Sequence, residues 1–161
     1  QRNAEIVRQL GAEQIIDYTK APFSKQIQDL DEQVDLVFDL IGGREVEKEA
    51  FLVLASTGKF VTIVGPNQYV GEKKIGMIGA LFSFVYIGWR MLWTGIRTGP
   101  RYVFTGPTTP DFAGIDRMLV ASGSKPIIDR VATLTREDIS AAIKRVISHR
   151  AVGKVIVSVR K

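Results

Sequence analysis

Val34-Asp35-Leu36-Val37-Phe38-Asp39-Leu40-Ile41-Gly42-Gly43 is the stretch that decides the fold. A five- or six-residue apolar run interrupted by one carboxylate and followed by a glycine pair reads as a strand, with the chain broken just beyond it. Upstream, the pattern predicts a helix from about Ser24 to Leu30, a strand over Gln14-Ile15-Ile16-Asp17-Tyr18, and a first helix from Gln1 to Leu10 that places Ile6, Val7 and Leu10 on one side and stops at Gly11. Downstream, Glu45 to Ala55 follows a helical period, Thr57-Gly58-Lys59 turns the chain, and Phe60-Val61-Thr62-Ile63-Val64 is a strand closed by Gly65-Pro66. Helices and strands alternating over short connections predict an α/β fold, a doubly wound parallel sheet with helices on both faces. In such sheets a ligand lies outside the carboxyl ends of the strands, which directs attention to Tyr18, to Asp39 through Gly43, and to Val64 through Pro66.

Beyond Pro66 the pattern changes. Ile75 to Trp93 is strongly apolar, with Arg90 its single charge. The stretch is near the shortest length for a membrane span, but Gly76, Gly79, Gly88 and Arg90 lower its hydrophobicity. The expectation is a helix that does not cross a bilayer. Leu81, Val85, Trp89 and Leu92 share one face, expected to be buried against the domain, a second subunit or a membrane surface, with Arg90 pointing away. Arg101-Tyr102-Val103-Phe104-Thr105 reads as another strand. Asp111 or Thr109 can cap a helix running to about Ser122, with Gly123 beyond it. Pro126 to Leu134 is extended, and Thr135-Arg136-Glu137-Asp138 has capping-box spacing and opens a helix to about Ser148. Gly153 to Val159 is a final strand.

The chain has 161 residues, 45% hydrophobic and 24% charged, a composition that supports a packed core. Its net charge of +5 comes from scattered lysines and arginines with no run longer than Lys73-Lys74, and no nucleic-acid-binding signature accompanies it, so nucleic acid is not an expected partner. No secretory leader is recognised from Gln1 onward, and a cytoplasmic or mitochondrial location is expected. Without cysteine, these residues form no disulfide and no Cys-ligated zinc site. His149 is the single histidine; beside Arg150 at a helix end it reads as a solvated cation, with no second ligand for a metal. No nucleophile with an adjacent base is found.

Leu10-Gly11-Ala12-Glu13 leading to Ile16-Asp17-Tyr18, the Val34–Asp39 strand with Gly42-Gly43, Gly58-Lys59-Phe60-Val61, Lys125-Pro126-Ile127-Ile128-Asp129 and Gly153-Lys154-Val155-Ile156-Val157 together resemble the C-terminal half of quinone-oxidoreductase-type enzymes of the medium-chain dehydrogenase/reductase superfamily. The apolar insertion followed by Arg101-Tyr102-Val103-Phe104 is similar to the reticulon-4-interacting-protein-like mitochondrial members. The resemblance implies the second half of a Rossmann-type sheet over 1–124, with a helical insertion at about 75–97, and a segment at 125–161 that returns to a catalytic domain. The glycine-rich phosphate loop and that catalytic barrel would both precede Gln1.

The resemblance also implies a cofactor, NADPH with NADH as the alternative, and hydride transfer to a quinone or an α,β-unsaturated carbonyl. Tyr18 would meet the adenosine 2'-phosphate, or else be a half-buried strand-end tyrosine. Arg2 would favour the same phosphate, or else be an exposed residue at a helix start. Leu40 and Gly42 would lie beneath the nicotinamide ribose, Leu40 through its backbone, and Val64, Val103, Phe104 and Thr105 would flank the nicotinamide. Arg150-Ala151-Val152-Gly153-Lys154 stands where reticulon-interacting-type relatives carry His-Ala-Arg-Gly-Lys, and Arg150 is left to make a phosphate contact there. No catalytic side chain and no metal ligand is assigned. Other expected partners are a second copy in a homodimer and a membrane surface touched through 75–93. Two other readings stay open: part of a zinc-dependent alcohol dehydrogenase, and a non-catalytic membrane- or partner-binding module.

Overall fold

A computed structural model describes residues 3–68, 76–106, 111–123, 125–148 and 150–159. The chain divides into two compact units, 1–107 and 108–161.

In the first unit, α1 (Ala4–Gln9) and α2 (Phe23–Gln28) precede β1 (Val34–Asp39), α3 (Arg44–Val53), β2 (Leu54–Thr62), α4 (Met77–Ile96) and β3 (Arg101–Phe104). The strands form one parallel sheet in the order β1-β2-β3, with Asp39 beside Thr62 and Thr62 beside Phe104 at the carboxyl edge. The core is small and aromatic. Phe60 is fully buried and meets Phe51 at 6.0 Å and Tyr102 at 5.5 Å between ring centroids, with Ala50, Leu54 and Ile87 around them. Strands of a parallel sheet are apolar on both faces because helices normally cover both. Here Leu36 and Phe38, on the other face of β1, are exposed.

The second unit holds α5 (Phe112–Ser122), β4 (Ile128–Thr133), α6 (Arg136–Ile147) and β5 (Lys154–Ser158), the two strands pairing in parallel. Arg145 grips Asp129 with two bonds of 2.7 Å, and Asp129 also accepts the Val152 N–H at 2.9 Å. That carboxylate therefore ties α6 to the start of β4 and to the approach to β5. Gly153 at φ 100° is required twice: by its left-handed backbone, and because a Cβ there would lie 2.2 Å from the Ile127 carbonyl oxygen. Gly153→Ala is expected to destabilise this unit by about 2 kcal/mol or more, measured by urea denaturation.

Several sequence expectations need correction. Gln14–Tyr18 is not a strand. A strand exists through its ladder partners, and no described strand pairs with this segment, whose Asp17 carbonyl instead accepts the Gln26 side-chain amide. Thr57-Gly58-Lys59 is no free turn: β2 starts at Leu54, and an irregular register absorbs the extra residues between Val34 and Leu36. At the other end β2 stops at Thr62, so Val64 lies in the turn beyond it. Asp111 caps α5 by accepting the Gly114 N–H, while Thr109 lies outside the described residues. Thr135 caps α6 as expected, but the Asp138 carboxylate does not complete a capping box. It turns back to β4, accepting from Thr133 N–H and hydroxyl and from Arg130, and these bonds hold its pKa down at about 2.

Helix α4 narrows its expectation to one side: the Leu81 face does not pack on the described first unit. Leu81, Val85, Trp89 and Leu92 are all more than half exposed, and the face packed on the domain carries Ile87, Thr94 and Arg90. Arg90 points inward because Glu47 of α3 waits there, its carboxylate 2.5 Å from the guanidinium and side chains 16% and 7% exposed. Tyr86 donates to the other oxygen of Glu47 at 3.0 Å, and Arg90 lies 4.7 Å over the Phe51 ring. Arg90 thus lies away from the Leu81, Val85, Trp89 and Leu92 face, as expected, and specific polar pairing with α3 makes its side the inward one.

The Tyr102 hydroxyl, buried at the centre of the core, has no hydrogen-bond partner among the described residues, and burial pushes its pKa well above the usual phenol range. A buried hydroxyl without a partner adds a desolvation cost and no bond. Tyr102→Phe is therefore expected to match or exceed the native stability by up to about 1 kcal/mol in urea denaturation.

Candidate functional site at the carboxyl edge of the sheet

The carboxyl ends of β1, β2 and β3 lie side by side because the sheet is parallel, and one hydrogen-bond knot fixes their turns. Asp39 is 3% exposed and accepts from the Ile41 N–H at 2.9 Å, the Gly42 N–H at 2.8 Å and the Thr62 hydroxyl at 2.7 Å. The Thr62 oxygen in turn accepts from Val64 N–H at 3.2 Å and Gly65 N–H at 3.0 Å. Gly43 N–H donates to the Gly65 carbonyl at 3.0 Å, and Thr105 N–H donates to the Thr62 carbonyl at 3.1 Å. One carboxylate and one hydroxyl thus hold the turns after β1 and β2, and the backbone of Thr62 holds the exit from β3.

Several expected site residues meet here. Gly42, at φ 78°, approaches Val64 so closely that a Cβ would sit 2.5 Å from the valine Cγ1 and 2.7 Å from the Asn67 carbonyl. Gly65, at φ 82°, faces Ile87 and Phe104 with more room, a Cβ there lying 3.2 and 3.6 Å from them. Leu40 and Ile41 project from the edge and are exposed, whereas Val64, Phe104 and Thr105 are half-buried beside them. Val103 sits in the ladder opposite Val61, one residue inside the edge.

Tyr18 is placed in an exposed turn instead of at a strand end, so it is not half-buried. Nothing in the structure brings it to the Asp39 knot. Arg2 lies outside the described residues. Arg150 belongs to the second unit, where its N–H donates to the Ser148 hydroxyl at 3.3 Å. Sequence reading missed Thr62 as the partner of Asp39. The available signal was a hydroxyl in the apolar run Phe60 to Val64, at the point where the strand should end.

The backbone donors of this edge are largely spent on the fold itself. The N–H groups of Ile41, Gly42, Gly43, Val64 and Gly65 are all engaged internally, so none is left to cradle a phosphate. What the edge presents is apolar surface from Leu40, Ile41 and Val64 on a rigid backbone. Among the described residues no group of three His, Cys, Asp or Glu stands close enough together to hold a metal ion.

Comparison with known proteins agrees with this geometry. Residues 10–157 match the family model described as zinc-binding dehydrogenase. The mitochondrial NAD(P)H oxidoreductase RTN4IP1 of Danio rerio is 33% identical over 98% of this chain and 41% of its own length. The Homo sapiens protein of the same name is 27% identical over 97% of this chain and 39% of its own. The chain therefore spans about two fifths of the length of these relatives. Among solved structures, benzyl alcohol dehydrogenase from Acinetobacter calcoaceticus superposes with a TM-score of 0.63 at 16% identity, covering 99% of this chain and 40% of that one. An NAD-dependent alcohol dehydrogenase gives 0.62 at 17% identity, covering 97% of this chain and 40% of that one. A parallel sheet with its turns locked at the carboxyl edge, and a family match over nearly the whole chain, lead to one conclusion: this chain belongs to the zinc-binding dehydrogenase family of the medium-chain dehydrogenase/reductase superfamily.

Proposed function

We propose that this chain supplies the nicotinamide side of an NAD(P)H-dependent oxidoreductase that reduces a quinone or an α,β-unsaturated carbonyl. The observation that carries the reading is the Asp39–Thr62 knot, which consumes the N–H groups of the edge and leaves a preorganised apolar shelf. In this role Leu40, Val64 and Phe104 support one face of the ring, Gly42 allows the turns to close, and Val103 and Thr105 complete the rim. When bound, the nicotinamide supplies the hydride. The chain's contribution is to orient the ring and keep water from it. Residues 1–124 would then belong to the nucleotide-binding domain and 125–161 to the catalytic domain, with Arg150 offered to a phosphate. The names of the mitochondrial relatives favour a mitochondrial location.

In this reading the cofactor is NADPH and the exposed Tyr18 meets its 2'-phosphate. In the intact enzyme, Tyr18→Ala should raise KM for NADPH by about fivefold or more, a bond of roughly 1 to 3 kcal/mol, and leave KM for NADH unchanged. Equal changes for both cofactors would make Tyr18 a surface residue only.

The reaction itself is tested with NADPH deuterated at nicotinamide C4. Transfer of the label to an enone, or oxidation of NADPH by a quinone, with rates unaffected by a zinc chelator, is the expected result. Activity confined to alcohol–aldehyde pairs and abolished by the chelator would favour a zinc-dependent dehydrogenase. No turnover with either class would favour a binding module.

A further inference from the structure

The amino ends of the strands, opposite the proposed coenzyme edge, carry a second surface. Lys59, Arg97 and Arg101 line one open recess of about 570 Å³ together with Ser56, Thr57 and Thr98, and no acidic residue lines it. Lys59 and Arg101 are direct neighbours in the β2–β3 ladder. Like charges at such positions repel, and none of the three cations has an ion-pair partner among the described residues. The recess continues into α4 through Gly95 and Ile96, and from there runs the helix's outward face: Leu81, Phe82, Val85, Trp89, Leu92 and Ile96, each more than half exposed. Trp89 and Trp93 stack at 5.9 Å, and Arg97 lies 5.0 Å over the Trp93 ring, joining the apolar strip to the cationic recess.

We propose that the outward face of α4 and the Lys59–Arg97–Arg101 recess form a docking surface for an anionic phospholipid membrane, on which the helix lies flat. Charge complementarity selects this occupant: an uncompensated cation cluster continuous with an apolar, tryptophan-bearing helix face matches acyl chains bordered by anionic headgroups. Although α4 is the one described helix long and apolar enough to cross a bilayer, its inward face is fastened to Glu47 through Arg90 and Tyr86, so it lies on the membrane without spanning it. The surface is separate from the coenzyme edge, and its test does not depend on catalysis.

Trp89 and Trp93 both stand on α4, so the part of the emission response that is lost in the W89F/W93F variant reports on this helix. The intact protein is mixed with vesicles of phosphatidylcholine alone or with roughly one third phosphatidylglycerol, and binding is read by flotation, emission shift and quenching by brominated lipid. Expected are binding and a blue shift with the anionic vesicles, release by high salt, and extraction by alkaline carbonate. The variant K59Q/R97Q/R101Q should lose about a hundredfold in affinity, at roughly 1 kcal/mol per cation. The exposed substitution L81N, which leaves every cation in place, should weaken binding without lowering Tm. Equal binding to neutral vesicles, full binding by the triple variant, or retention after carbonate extraction would overturn the proposal. So would a concentration-dependent emission shift accompanied by dimerisation and no vesicle binding, or an emission response to inorganic phosphate alone.

Discussion

Replacing Asp39 with alanine is expected to cost about 3 to 5 kcal/mol in the first unit, among the largest losses available from one side chain. The carboxylate is 3% exposed and terminates three donors, from Ile41, Gly42 and Thr62. Removing it leaves those donors without their acceptor, each at about 1 to 3 kcal/mol when water cannot replace it. Thr62 would also lose the bond that orients its hydroxyl toward Val64 and Gly65 N–H. Asp39→Asn keeps one carbonyl oxygen for the two N–H groups but faces the Thr62 hydroxyl with an amide, so its loss should be smaller. Urea denaturation followed by the emission of Trp89 and Trp93, which belong to this unit, measures both. An alanine variant within about 1 kcal/mol of the native protein would show that the knot is not what holds the edge. In the intact enzyme the same variants should raise KM for the nicotinamide cofactor, because Leu40 and Val64 would no longer be held in place.

Glu47→Ala should be comparably damaging, by about 3 to 5 kcal/mol, because it strands the Arg90 guanidinium in an environment only 16% exposed and removes the acceptor of the Tyr86 hydroxyl. The tyrosine already titrates above the ordinary phenol range, through burial first and its bond to Glu47 second. The double variant E47L/R90L should recover most of the loss, since replacing a buried pair by apolar side chains of similar volume is often neutral or stabilising. Stability of the double variant as low as that of the single one would mean that Arg90 contributes through its stacking over Phe51 instead of its charge.

Much of the architecture was legible where local pattern and tertiary need agree. Val34–Asp39 is apolar enough to be a strand and forms β1, Gly42 and Gly43 both adopt positive φ, and Thr135 caps α6 through the expected bond to Asp138 N–H. Expectation failed where a partner distant in sequence decides the outcome. Periodicity set Arg90 apart from the apolar face of α4 but could not say which side packs inward, because it has no knowledge of Glu47, which stands 43 residues before Arg90 and draws that side inward. Gln14–Tyr18 has strand composition but no described strand to pair with, and composition cannot create a ladder. The candidate site was half legible. The topological rule led to Asp39, Leu40, Gly42 and Val64 through strand ends alone, whereas the contact of Asp39 with Thr62 spans 23 residues and depends on the register between β1 and β2.

Amide hydrogen exchange on the intact enzyme, with and without NADPH, bears most directly on the claim that this edge receives the nicotinamide. The account predicts added protection at 39–43, 62–65 and 103–105, with the amino ends of the same strands unchanged. Protection confined to other parts of the protein, with these three segments exchanging as before, would contradict it.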